Sequence, residues 1–161
     1  MRRVLSLLFA GALVLLGSAA QAQAQIISCT AALSGGNEVP GIASGSGGNA
    51  TVTMNVGAGT IDYRVDVFNM PTGTTASHIH AGSPGVGGPV VVNFVITPNI
   101  SNDFAIQGQA KFADVVARPA QGIQSMEDVA QMLATNQAYV NVHSTANPGG
   151  EIRGQLACTV R

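Results

Sequence analysis

Ala50, Val52, Met54 and Val56 alternate with Thr51, Thr53 and Asn55, and Ile61, Tyr63, Val65 and Val67 alternate with Asp62, Arg64 and Asp66. Alternate side chains of an extended strand share a face, so each set predicts a half-buried strand. Gly57-Ala58-Gly59 between them predicts a tight turn, and the pair reads as a β-hairpin. Val90–Val95, Phe104–Phe112, Ala138–His143 and Ile152–Val160 read as further strands. Gly35–Gly48, Thr72–Thr75 and Ala81–Gly88 are rich in Gly, Ser and Pro and read as loops. One stretch changes period. Ser125 followed by Asp128 is a variant capping box, and Met126, Val129 and Leu133 then fall on one helical face. Seven or eight short strands with one short helix predict an all-β fold, a Greek-key β-sandwich or barrel of immunoglobulin- or superoxide-dismutase-like form.

The first 24 residues follow another logic. Arg2 and Arg3 precede a mainly apolar run, Val4–Leu16, and then a small-residue tail. That order is a secretory signal peptide, with cleavage after Ala22 or Ala24. The run is too short to span a bilayer, which takes about 20 residues. The mature chain, residues 25–161, is therefore expected as one domain that is secreted or periplasmic, with no membrane span. Ile26-Ile27-Ser28-Cys29 loosely resembles a lipoprotein box, which would make Cys29 a lipidated N-terminus. In an exported chain, two cysteines near opposite ends most simply form one disulfide, Cys29 to Cys158. Both readings stand at the level of sequence.

Composition narrows the function. The 161 residues are 46% hydrophobic and 9% charged, with a formal net charge of −1. No basic run offers a nucleic-acid footprint. Aromatics are 4%, too few for a stacking platform for bases or sugars. No Gly-x-Ser-x-Gly motif marks a nucleophile.

The histidines carry the remaining chemistry. His78 and His80 share one face of a strand, and Tyr139, Asn141 and His143 share one face of a later strand. Should those strands be neighbours, three imidazoles make a site for Zn or Cu. The competing reading is a hydrogen-bonded network that fixes loops, in which Glu151 and Arg153, alternating across Ile152, and the isolated Glu38 support the histidines.

Five segments, Leu33–Pro40, Ala76–Gly82, Gly87–Val90, Tyr139–Ser144 and Asn147–Leu156, together resemble the CHRD domain, named from chordin and found in exported bacterial proteins. The resemblance runs from Ala31 to about Cys158 and implies an exported binding or structural module with an extracellular or envelope partner. The cysteine-rich modules with which chordin binds growth factors have no counterpart here. A weaker similarity runs to copper/zinc superoxide dismutases. His78-x-His80 resembles their copper-binding strand, Val140–His143 a later ligand strand, and Asn147–Cys158 the segment with a guiding arginine, here Arg153, and a disulfide cysteine. A fourth copper ligand, the bridging histidine and the zinc loop are missing. The similarity therefore implies a sandwich with a metal site more than dismutation, and a copper oxidoreductase is the alternative function.

Overall fold

A computed structural model describes residues 25–161, so the expected signal peptide lies outside the described residues. The predicted hairpin forms as read. β2 (Gly47–Asn55) and β3 (Thr60–Met70) pair antiparallel with Asn55 opposite Thr60. Gly59 closes the turn at φ 62°, a backbone shape open to glycine at little cost. Ala50, Val52, Met54, Ile61, Val65 and Val67 face the core, each at most 1% exposed.

A strand the periodicity reading did not name, β1 (Ile26–Ser34), lies beside this hairpin. Its inward residues Ile27, Cys29, Ala31 and Leu33 have the same period of two. Two of them are small, so their hydropathy contrast is weak. The remaining strands are β4 (Thr74–Ala81), β5 (Val90–Asn93), β6 (Asn102–Lys111), β7 (Ala138–Ser144), β8 (Ile152–Gln155) and β9 (Ala157–Val160). The expected single strand over Ile152–Val160 is thus two. Leu156 is fully buried and donates its N–H to the Ala138 carbonyl, so the chain leaves β7 there and β9 pairs with β1 instead.

The sheet runs β5-β4-β7-β8-β1-β2-β3-β6. Its two ends come together where Val92 bridges Val115 and the Val116 N–H donates to the Val91 carbonyl. The result is an all-β, nearly closed antiparallel barrel, which removes most of the unpaired edge. The single α-helix among the described residues, α1 (Met126–Ala134), starts as predicted. The Ser125 hydroxyl accepts from the Asp128 N–H at 3.1 Å, while the Asp128 carboxylate accepts from the Ser125 N–H at 2.9 Å. Val129 and Leu133 are fully buried, and the helix packs on β1 and β9.

Cys29 and Cys158 form a disulfide between facing residues of β1 and β9. A Cys29 tied up in this way is not a lipidated terminus. Among the described residues, no helix is long and apolar enough to cross a membrane.

Candidate functional site

β4 and β7 are neighbours, and their register builds the site. His78 stands opposite Asn141, His80 opposite Tyr139, and Ala76 opposite His143. Ile79, Val140 and Val142 point into the barrel and are fully buried. The alternation therefore sends His78, His80 and His143 to the outer face of the wall. That face is only partly open to solvent, at Ala76 and His78 of β4. Every residue of β7 is buried, because the loop after β4 and the turn after β7 fold over it.

The three histidines converge, with one ring nitrogen from each lying within 4.8 Å of the others. Main-chain carbonyls fix two of the rings. His80 Nδ1 is 2.8 Å from the Gly88 carbonyl oxygen, and His143 Nδ1 is 2.8 Å from that of Pro148. A carbonyl only accepts, so both Nδ1 atoms carry the proton and both Nε2 atoms keep a lone pair. The Nε2 of His143 accepts from His78 Nδ1 at 3.1 Å. The Nε2 of His80 is buried and has no partner. Burial first, then the neighbouring rings of His143 and His80, lowers the His78 pKa from 6.5 to about 4. Burial also lowers His80 and His143, against the pull of the two carbonyls. All three rings are neutral at pH 7.

Behind His80 lies a stack. The Tyr139 ring lies parallel to it at a centroid distance of 4.7 Å, and the Arg153 guanidinium sits 3.4 Å above the other face of Tyr139. Arg153 is 3% exposed, and its Nη2 donates to the Val86 carbonyl at 2.8 Å. Gln155 Nε2 donates to the Gly82 carbonyl, and the Tyr139 hydroxyl to that of Gly88. These bonds hold the 82–88 loop against the wall. A Cβ at Gly88 would collide with the Ala81 carbonyl, so only glycine lets the loop close this tightly.

A family model for the CHRD domain matches residues 29–156. The chain belongs to the CHRD domain family. The matched span holds all three histidines, Tyr139 and Arg153. Searches of curated proteins and of solved structures return no match.

The acidic residues grouped with the histidines in the sequence reading are placed differently in this CHRD domain. Gly150, at φ 145°, turns the chain just before β8, so Glu151 stands outside the strand alternation that places Arg153. Its carboxylate is 1% exposed and accepts from Ser44, from Ser144 at 2.7 Å, from Asn147 at 2.6 Å and from Ser46 at 3.4 Å. None of these partners is a histidine. Burial works to raise its pKa, but the donors of Ser44, Asn147, Ser144 and Ser46 together hold it below the usual carboxylate range.

Glu38 packs on Gly150, half-buried, with Oε1 unpartnered. Burial raises it to about 7, the Arg153 charge pulling it down and Glu151 adding to the rise. A carboxyl raised from 4.5 in the unfolded chain to about 7 in the folded one weakens folding as pH rises through that window. Glu38→Gln is therefore expected to stabilise the domain by about 1–2 kcal/mol at pH 8, after discount for its half-exposed position, and to leave stability at pH 4 unchanged. Urea denaturation at the two pH values checks this.

Tyr139, Gly88, Pro148 and Asn141 complete the site, although sequence reasoning gave them no role. The signals were the shared face of Tyr139, Asn141 and His143, and the Gly87-Gly88-Pro89 turn.

Proposed function

We propose that this CHRD domain is an exported binding module that holds a transition metal through His78, His80 and His143. The observation that carries the reading is the pair of lone pairs on His80 and His143. Each Nδ1–H is spent on a carbonyl, the same outer bond that orients histidine ligands in metal sites. A tetrahedral site with metal–nitrogen bonds of about 2.0–2.1 Å spaces its nitrogens roughly 3.3–3.4 Å apart. The 3.1 Å pair of His78 and His143 is close to that spacing, and the other sides need to contract. His78 then gives up its Nδ1 proton to its own Nε2, a tautomer change rather than an ionisation. The disulfide fits an oxidising compartment. The copper oxidoreductase alternative has no observation of its own beyond the same three histidines.

Imidazole ¹⁵N NMR tests the reading. In the metal-free protein His80 and His143 are expected as Nδ1–H tautomers. One equivalent of Zn(II) should shift the Nε2 resonances of both and move the His78 proton to Nε2. Resonances of all three rings that ignore added Zn(II) and Cu(I) would leave the histidines as a loop-fixing network.

A further inference from the structure

We propose that the ion this site selects is monovalent copper, Cu(I), in preference to Zn(II), an inference that rests on the three-histidine reading. The donor atoms do not decide between them, because imidazole suits copper and zinc alike. The charges around the donors do. The cluster contains neither carboxylate nor thiolate. The outer partners of His80 and His143 are main-chain carbonyls, not the carboxylates that often support ligating histidines. Asn141 stands between His78 of β4 and Arg153 of β8 in the register, 3% exposed, with its Oδ1 unpartnered. The position from which an acid would reach the ion is thus held by a neutral amide.

Arg153 adds to the effect. It is a buried cation one aromatic ring away from His80, and the salt bridge among the described residues is elsewhere, between Arg64 and Asp66. Glu38, the carboxyl that feels the Arg153 charge, is raised to about 7 by burial, and Glu151 turns its charge toward hydroxyls and the Asn147 amide. The penalty for burying an ion grows with the square of its charge, and its repulsion from a fixed cation grows linearly. A neutral ligand set beside a guanidinium that makes no salt bridge therefore favours the ion of charge +1. Three nitrogens also satisfy Cu(I) in a trigonal arrangement, whereas Zn(II) calls for a fourth ligand.

The test is an anaerobic competition at pH 7 on the disulfide-bonded domain, with a chromogenic chelator for Cu(I) and another for Zn(II). Cu(I) is expected to bind one per chain and at least about 100-fold more tightly than Zn(II). Asn141→Asp, which supplies the missing anion at nearly the same shape, should narrow that ratio by about tenfold or more. Should that variant fail to fold, Arg153→Met carries the same expectation by removing the cation. Zn(II) bound as tightly as Cu(I) by the wild-type domain, or a ratio unmoved by a folded variant, would overturn the valence preference and leave the three-histidine site standing. Binding of neither ion would remove both.

Discussion

Removal of the Cys29–Cys158 disulfide is expected to lower the stability of the folded domain by about 4–5 kcal/mol, the chain-entropy value for closing a loop of this length. The two cysteines are 129 residues apart, so the bond constrains nearly the whole described chain in its unfolded state. The native state has its own reason to need it. β9 pairs only with β1, through four residues, and lies off the main path of the sheet. α1 rests on both strands. Without the bond the β9 end frays and the helix loses part of its support. Denaturation of the Cys29→Ser, Cys158→Ser double variant against the oxidised wild type measures the loss. A difference under about 1 kcal/mol would mean that the β1–β9 ladder holds without the bond.

Glu151→Ala should produce a loss of similar size, about 3–5 kcal/mol, and for a different reason. The carboxylate is a buried hub that ties three separate parts of the chain. Ser44 and Ser46 lead into β2, Ser144 ends β7, and Asn147 lies in the turn that follows. Truncation strands the buried Ser144 hydroxyl and takes an acceptor from Ser44, Ser46 and Asn147, and each buried polar group left unsatisfied costs about 1–3 kcal/mol. Glu151→Gln keeps one oxygen acceptor and should lose about half as much. The depressed pKa of Glu151 gives the effect a sign in pH. Its contribution is present above the unfolded value of 4.5 and is lost as pH falls below it. The same turn presents the Pro148 carbonyl to His143, so Glu151→Ala should also weaken metal binding. Chemical denaturation and metal titration of the two variants, side by side, separate the stability effect from the binding effect.

The parts of the fold that were legible in the sequence are those with strong contrast between neighbouring positions. The β2–β3 hairpin shows it, with aliphatic residues inward and Thr, Asp and Arg outward along its strands. The capped helix shows it too, since Ser125 and Asp128 mark its start at a fixed spacing. β1 was hidden because Cys29 and Ala31 are weak signals of burial. The break at Leu156 was hidden because partner exchange between strands leaves no mark on local periodicity. Neighbouring β4 and β7, the fact that joins the histidines, was a condition that the sequence could state but not meet.

For the site, the H-x-H spacing and the face shared by Tyr139, Asn141 and His143 pointed to residues that the fold brings together. Their burial was not legible, because it depends on a loop folding over a strand wall far from it in sequence. The separation of Glu151 from Arg153 depends on the bend at Gly150, where an apparent alternation begins one residue before the strand does. Alternation assigns faces only inside a strand.

Native mass spectrometry with elemental analysis, on protein purified without chelator, decides whether His78, His80 and His143 hold a metal. One transition-metal ion per chain is expected, retained under gentle ionisation and absent from a folded His80→Ala variant. Wild-type protein that arrives metal-free and takes up neither Cu(I) nor Zn(II) when they are supplied would contradict it.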